Sequence, residues 1–448
     1  MFDNIFIITT YQYPHLEHFN EDINFLVKNN KKVCVINLVP ILKFRSCLYA
    51  NSFRRYLGTR YYNTFINNRV RLQIKDIKEK CNLYLDLKEE RLIDYIEELD
   101  LEKITNNSAI DYLRVFKKSY FIDKFTVEIL KKKIKQSIYK FYNPLKQIIE
   151  DNINANVHIF SGRFPIESFI VNNICQNNQI IYYESNDFNC NVLRKLCNTN
   201  LLNNYQEDVK EIKEKYDQYK LLSALNQLIK YRRKGKIKSN NKYDFIFYTT
   251  SLDEILSFGG IPDQLSILKK FAKVFEGNAK AVIRMHPNTR NKPKYDRDYW
   301  DYLEMYFKSF GISVISYKDN IDSYSLHHQE SVSFSVGSTI TGELLFMDFK
   351  SILIGEFTYY SKFIGNNIIQ PEYIFRDGFL NIKSDNNNFD KSLLASSLLI
   401  EYLRGEDFEN KKRDWITKDA QLVYDALGII TNDKFISIGL TQNGLLDL

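Results

Sequence analysis

Proline, glycine and cysteine are scarce in this sequence, and their scarcity excludes several classes of protein. The 448 residues include 8 prolines and 16 glycines, too few for a collagen-like repeat or a proline-rich linker. The 6 cysteines show neither C-x-x-C spacing nor a regular framework, which argues against a disulfide scaffold and favours a reducing compartment. We therefore expect a cytoplasmic protein.

Long apolar runs are missing as well. No window approaches the roughly 20 apolar residues that a membrane-spanning helix needs, and the opening run NIFIITT is too short for a signal segment. We expect a soluble protein, or one that is bound peripherally to the inner face of the cytoplasmic membrane.

Apolar and aromatic residues are abundant, at 44% and 15% of the chain, which predicts a globular protein. Two domains are the natural expectation at this length. The segment YRRKGKIKSNNK brings charge, glycine and asparagine together, and we place the domain boundary there. The predicted domains cover residues 1–235 and 236–448.

Positive charge is concentrated in the first half of the chain. Residues 1–242 contain 40 Lys and Arg against 27 Asp and Glu, and the remainder contains 22 against 28. This asymmetry favours an anionic partner for the first half, such as an acidic glycan or a phospholipid surface. A low-GC genome that inflates lysine content is the alternative. Nucleic acid is not expected, because the lysines are spread over several segments and no reading module is present.

The apolar pattern alternates between strand and helix along both halves. In the first half, NIFIIT, KKVCVINLV, NVHIFSG and QIIYYES are strand-like, and residues 82–150 are predicted to form a helical insertion. In the second half, YDFIFYTTS, KAVIRMHP and SVSFSVGS alternate with helical patterns. We predict an α/β fold of two Rossmann-like domains that face a central cleft, with ligands beyond the carboxyl ends of the strands. The last helices are expected to pack back on the N-terminal domain.

Polar residues follow two strands of the second half. They are Arg284, His286 and Pro287 after one strand, and Gly337, Ser338, Thr339 and Glu343 after another. A small residue followed by two hydroxyls at a helix N-terminus suits a phosphate, which Arg284 or His286 would neutralise. The alternative is structural, with Ser338 as a helix cap, Glu343 as a dipole-compensating acid and His286 as an ordinary strand-end histidine.

These segments also resemble a known family as an ordered set. RMHP followed by VGSTITGE is similar to the HP and Ser-Ser/Thr motifs of bacterial GT-B glycosyltransferases that use CMP-activated acidic sugars, including sialyltransferases, polysialyltransferases and capsule-type Kdo transferases. FYTTSLDE, IPDQLSIL, IDSYSL and ILIGEFTYY extend the likeness over residues 243–365. FSGRFPIESF and IIYYESND resemble paired segments of the same group.

The resemblance implies roles for four of these residues. His286 would contact the phosphate or the cytidine of the CMP donor, Ser338 and Thr339 would bind the phosphate, and Glu343 would approach the ribose or base. Arg284 is added to the site from its charge and position.

The general base of such enzymes is an acidic residue of the N-terminal domain. The acidic motif of the family is missing from the first half, so we take as candidates Glu184 and Asp187 of YESND, then Glu167 beside Arg163. The base would deprotonate an acceptor hydroxyl, or attack the anomeric carbon if configuration is retained.

Three further predictions concern metals and the cleft. We expect no metal and no other cofactor, because no Asp-x-Asp triplet suits a diphosphate-bound Mg²⁺ and the histidines lack zinc spacing. Arg163, Ser251 and Tyr324 are additional cleft candidates, with an N-cap as the alternative for Ser251. His327 and His328 are predicted to be surface or capping residues.

The basic segment KKKIKQSIYKFYNPLK has two interpretations. Ile134, Ile138, Phe141, Leu145 and Ile149 recur at helical spacing among lysines, which is typical of a helix packed on its own domain. The alternative is docking on anionic lipid, where a lipid-linked acceptor would be found.

The sequence thus predicts transfer of a sialic-acid-like sugar or Kdo from a CMP-activated donor to a surface polysaccharide or glycolipid. One alternative is a transferase of the same fold that uses a UDP-sugar or a CDP-polyol. The other is a non-catalytic polysaccharide-binding or export protein.

Overall fold

The structure is a computed structural model of the chain. It describes residues 1–11, 15–42, 59–87, 101–102, 104–106, 108–109, 124–160, 165–185, 192–197, 209–214, 216–250, 264–291, 294–356, 358, 360–375, 389–404, 440–441 and 444–445. Two compact units are present, one formed by Met1–Asn204 with Gly428–Leu448 and the other by Tyr205–Leu427.

The first unit is built on a six-stranded sheet. Its strands are β1 Asn4–Ile8, β2 Val33–Asn37, β3 Leu83–Asp86, β4 Asn156–Phe160, β5 Ile180–Ser185 and β6 Val192–Cys197. The helices described in it are α1 His15–Lys28, α2 Thr59–Lys80, α3 Lys124–Glu150 and α4 Pro165–Asn173. The strand order is β3-β2-β1-β4-β5-β6, parallel except for β6, which runs antiparallel to β5. This is the Rossmann order 3-2-1-4-5-6.

The central strands of this sheet are buried on both faces. Every residue of β1 and β2 is buried, as expected where helices cover both sides of a parallel sheet. β3 lies within residues 82–150, which we predicted to be helical. Its four residues are too few to show a period of two, and pairing with β2 selects the strand.

Helix α3 settles the two interpretations of the basic segment. All five of its predicted apolar residues are buried in the core of the first unit, namely Ile134, Ile138, Phe141, Leu145 and Ile149. The helix therefore packs on its own domain and offers none of these side chains to lipid. Among the described helices, none is long and apolar enough to cross a membrane.

The second unit repeats the same order. Its strands are β7 Phe245–Tyr248, β8 Ala281–Arg284, β9 Ser313–Ile315, β10 Val332–Ser335, β11 Lys350–Ile354 and β12 Ile368–Ile369. Its helices are α5 Gln218–Arg233, α6 Gln264–Val274, α7 Lys294–Lys308, α8 Thr339–Phe346 and α9 Lys391–Arg404. The sheet order is β12-β11-β10-β7-β8-β9, and all strands are parallel. With β7 counted as strand 1 and the sheet followed from the β9 edge, the order is again 3-2-1-4-5-6. The predicted α/β class with two Rossmann-like domains is confirmed.

The order of this second sheet reverses between β7 and β10. β7 pairs with both β8 and β10, so the connections leave these strands toward opposite sides. A crevice forms at such a switch point beyond the carboxyl ends of the strands, where ligands of this fold bind. The chain following β7, β8 and β10 is therefore where a site is expected.

The division into units differs from the predicted boundary of 235/236. The chain divides between Asn204 and Tyr205, because α5 belongs to the second unit: it buries Leu221 and Leu225 and packs against α9. The predicted last helices lie outside the described residues, although Gly428–Leu448 groups with the first unit. The cleft that we predicted between the domains stays a prediction.

Candidate functional site

A cavity of about 340 Å³ lies at the switch point of the second sheet, within the size range of small-molecule sites. It is lined by seven of the residues predicted for the site: Arg284, His286, Pro287, Tyr324, Ser338, Thr339 and Glu343. Gly337 lies next to them, in the turn before Ser338. The structure thus brings together the residues that the sequence placed after two separate strands.

The turn between β10 and α8 presents an unpaired hydroxyl to the cavity. Gly337 has φ +73°, and an added Cβ would meet nothing nearer than Thr358 Cγ2 at 3.9 Å, so the backbone angle rather than space requires glycine. Ser338 is the N-cap residue of α8, but its side chain makes no capping hydrogen bond. Ser338 is 8% exposed, and its hydroxyl has no partner among the described residues. The hydroxyl is available to a ligand.

The start of α8 forms the same wall. Ser338, Thr339 and Ile340 all line the cavity, so the positive end of the helix dipole faces it. The first backbone N–H groups of a helix have no intrahelical acceptor, which makes this end suited to an anion.

His286 faces the cavity from the end of β8. Its backbone N–H donates to Thr249 Oγ1 at 2.9 Å, and its ring Nδ1 accepts from the Asn288 N–H at 3.3 Å. Pro287 begins a 3-10 turn, Pro287–Asn291, that brings Asn288 into this position. Because Nδ1 is an acceptor, the neutral ring has its proton on Nε2 and donates from there.

Arg284 is 2% exposed and holds a loop against the sheet. Its guanidinium donates to Ser316 O at 2.6 Å, Ser323 Oγ at 3.3 Å, Asp319 O at 3.3 Å and Ile321 O at 3.4 Å. Burial lowers its pKa to about 10, so it remains a cation at neutral pH. All three guanidinium nitrogens thus donate to groups of the cavity wall, and the direct phosphate contact stays a prediction.

Glu343 is fully buried and is engaged through both carboxylate oxygens. Oε1 forms an ion pair with Arg232 Nη1, and Oε2 accepts from the Tyr324 hydroxyl. The carboxylate therefore fixes two side chains that line the cavity. The ribose or base contact that the resemblance implies stays a prediction.

Tyr248, which lines the cavity, is hydrogen-bonded to the buried His327. The Tyr248 hydroxyl donates to Ser323 O at 2.7 Å, so it accepts from His327 Nε2 at 2.9 Å. His327 is the C-cap residue of the 3-10 turn Ser323–Leu326, which agrees with the capping prediction, but it is 4% exposed and not at the surface, because it packs between Tyr248 and Phe349. Burial lowers its pKa to about 3, and its Nδ1 has no partner among the described residues. His328 is half-buried and pairs with Asp244 at 2.8 Å.

Two cations of the cavity come from a segment that we had assigned to the domain boundary. Arg232 lies in the last turn of α5 and Lys236 follows the helix, and both line the cavity together with Arg290. The available signal was local charge, since KYRRKGKIK at 230–238 contains six Lys and Arg. With Arg284, four basic side chains line the cavity together with the acidic Asp319 and Glu343, which gives the cavity a positive balance suited to an anion.

The candidate bases belong to the first unit. Glu167 is 1% exposed in the first turn of α4, and Thr9, just after β1, donates to its Oε1 at 2.5 Å. β1 and β4 are adjacent strands at which the order of the first sheet reverses, so this carboxylate also lies at a switch point. Glu184 is in β5, but its side chain is outside the described part of the chain. The residues Arg163, Asp187 and Ser251 lie wholly outside the described part.

Metal ligands were not expected from the sequence. In the described part of the chain, no three His, Cys, Asp or Glu side chains are grouped closely enough to hold a metal ion. That the reaction needs no metal stays a prediction.

Comparison with known proteins gives structural neighbours only. No protein-family model matches the chain, and no curated protein matches it. The beta Kdo 2,7 transferase of Thermosulfurimonas dismutans KpsC is 13% identical, with a TM-score of 0.33 over 69% of this chain and 98% of that chain. The beta Kdo 2,4 transferase of the same protein is 11% identical, with a TM-score of 0.32 over 54% and 78%.

A glycosyltransferase from Rickettsia africae ESF-5 is 13% identical, with a TM-score of 0.27 over 91% of this chain and 99% of that chain. Identities and TM-scores this low leave the function to be argued from the residues of this chain. In its ordered motifs the chain resembles bacterial GT-B glycosyltransferases of the capsule type, and these three solved structures are a beta Kdo 2,7 transferase, a beta Kdo 2,4 transferase and a glycosyltransferase.

Proposed function

We propose that this protein is a glycosyltransferase that moves a sialic-acid-like sugar or Kdo from a CMP-activated donor to a surface polysaccharide or glycolipid. The observation that supports this most directly is the hydroxyl of Ser338, a residue that is 8% exposed and makes no side-chain capping bond at the start of α8, in a cavity with a positive balance. A phosphate is the ligand group that a hydroxyl, a helix N-terminus and cationic side chains bind best.

The cavity residues would act on the leaving group. As the glycosidic bond to the donor breaks, negative charge grows on the departing CMP phosphate. The Ser338 hydroxyl, the start of α8 and His286 Nε2–H would donate to it, while the cationic side chains stabilise its charge. These groups are held in place before the donor arrives, because Arg284 and Glu343 fix the walls.

An acidic residue would activate the acceptor. It takes the proton of the acceptor hydroxyl while the oxygen attacks the anomeric carbon, or it attacks that carbon itself in a retaining enzyme. Glu167, Glu184 and Asp187 are the candidates, and Glu167 is the one whose side-chain contacts are described. We place the reaction in the cytoplasm, with the acceptor free or linked to lipid at the inner membrane face.

A diphosphate donor, such as a UDP-sugar or a CDP-polyol, is the alternative. Lys236, Arg232 and Arg290 line the cavity in addition to the start of α8, so enough positive charge is present for a second phosphate.

A thermal-shift panel of CMP, CDP, UMP, UDP and GDP tests the proposal. We expect CMP to raise the melting temperature, and the rise to disappear in Ser338→Ala and His286→Ala. Stabilisation by UDP alone would contradict the CMP assignment. Stabilisation by none of the five would favour the non-catalytic polysaccharide-binding alternative.

A further inference from the structure

The short segment between α5 and β7 is held against the cavity by its backbone. Gly235 has φ +75°, and its carbonyl accepts from Asn320 Nδ2 at 3.0 Å. The Ile237 N–H donates to Asn320 O at 2.9 Å, and Ile237 O accepts from the Asp322 N–H at 2.8 Å. Lys236 lies between these anchored residues and lines the cavity, half-buried. Its position is thus fixed from both sides.

The cations around Lys236 are compensated, whereas its own ammonium is not. These pairs are Arg232 with Glu343, Arg233 with Asp322, and Arg284 with the carbonyls of the loop after β9. Glu343 and Asp322, the carboxylates whose charge acts on Lys236, therefore already have a guanidinium partner. Among the described residues, no hydrogen-bond or ion-pair partner of the Lys236 ammonium is found.

The electrostatics around Lys236 favour an anion as its ligand. Burial lowers its pKa, and the positive charges of Arg232 and Arg284 lower it further. Asp322 and Glu343 oppose this shift without cancelling it. An anion that entered the cavity would stabilise the ammonium and be stabilised by it.

We propose that Lys236 binds the nucleotide phosphate that Ser338 and the start of α8 hold, and so discriminates nucleotides from nucleosides. Lys236, Ser338 and Thr339 line the same cavity, so the lysine and the start of α8 belong to one site. This inference rests on the proposed function only in taking the anion to be part of a nucleotide.

The test compares binding of a nucleotide with binding of its nucleoside. CMP and cytidine are titrated into the wild type, Lys236→Met, Lys236→Arg and the control Lys234→Met, whose lysine is exposed on the same segment and does not line the cavity. We expect Lys236→Met to weaken CMP binding about 10- to 100-fold, the usual cost of a lost charged hydrogen bond, with cytidine binding unchanged. Lys236→Arg should retain most of the CMP affinity, and Lys234→Met should match the wild type.

Two results would overturn the assignment of Lys236. One is wild-type CMP affinity in Lys236→Met. The other is an equal loss of CMP and cytidine binding, which would mean that the substitution deforms the cavity.

The inference and the proposed function can fail separately. If no nucleotide binds the wild type, inorganic phosphate and pyrophosphate replace CMP in the same titration. Phosphate binding that Lys236→Met abolishes would support Lys236 while rejecting the nucleotide. If the wild type binds neither nucleotide nor phosphate, both proposals are wrong.

Discussion

Ser338 and Asp217 are the N-cap residues of two helices, but only Asp217 caps its helix through its side chain. Asp217 Oδ1 accepts from the Tyr219 N–H at 2.9 Å at the start of α5, whereas the Ser338 side chain makes no such bond. The sequence offered both roles for Ser338, because serine is a common N-cap and also a good phosphate ligand. The missing capping bond and the place of Ser338 in the cavity wall, neither of which the sequence pattern shows, favour the ligand role.

Ser338→Ala should therefore affect binding without affecting stability. We expect the free energy of unfolding without ligand to change by less than about 0.5 kcal/mol, since no cap is lost, while nucleotide affinity falls about 10-fold or more. Urea unfolding and calorimetric titration measure the two effects. The control Asp217→Ala should show the reverse, a loss of about 1 kcal/mol in stability with unchanged affinity. The same pattern in Ser338→Ala would mean that Ser338 acts as a cap.

His327 should make stability depend on pH. Its pKa is lowered to about 3 in the folded protein, against about 6.5 unfolded, so between these values the unfolded chain binds more protons. Its contribution to stability is therefore complete above pH 6.5 and is lost progressively as the pH falls toward 3.

We expect His327→Phe, which keeps a ring between Tyr248 and Phe349, to reduce this dependence. From pH 7 to pH 5 the wild type should lose about 2 kcal/mol more than the variant. Urea unfolding at the two pH values gives the difference, and equal losses in both proteins would mean that His327 is protonated when folded.

At the scale of elements, the sequence predicts the strands that precede the site residues, but it does not predict which groups each side chain contacts. β8 and β10 were recognised from their apolar runs, and the fold rule located the ligand site beyond them. The charge and position of Arg284 in the sequence predict a phosphate ligand. It donates instead to the backbone carbonyls of Ser316, Asp319 and Ile321. These carbonyls belong to a loop whose conformation no sequence pattern predicts.

Arg284→Lys should accordingly weaken the whole loop. An ammonium cannot reach acceptors that a planar guanidinium spans, so buried carbonyls would lose their donors. We expect a loss of about 2–3 kcal/mol in unfolding free energy, with nucleotide and nucleoside affinities reduced by equal factors. Exposed Arg290 is the control, and Arg290→Lys should change stability by less than about 0.5 kcal/mol. Loss of phosphate affinity alone, at full stability, would instead make Arg284 a direct ligand.

At the scale of the whole molecule, the two units repeat one strand order but differ in charge at their switch points. The second unit has Lys236 and Arg232 beside the start of α8, whereas the first has Glu167 with Thr9. The alternating pattern predicted both sheets. It did not predict that α5 and the segment after it belong to the second unit, because a helix shows which face is apolar and not which domain covers it.

This difference predicts that binding and transfer can be separated by single substitutions. Glu167→Gln keeps an acceptor for the Thr9 hydroxyl but removes the basic carboxylate. If Glu167 is the base, donor nucleotide affinity should stay within about 2-fold of the wild type, while acceptor-dependent release of the nucleotide slows about 100-fold or more. Ser338→Ala should lower nucleotide affinity. At saturating donor it should retain a higher transfer rate than Glu167→Gln does, because the carboxylate of Glu167 is intact. Undiminished turnover in Glu167→Gln would remove Glu167 from the mechanism, and the same assay on Glu184→Gln and Asp187→Asn would then decide between the two remaining carboxylates.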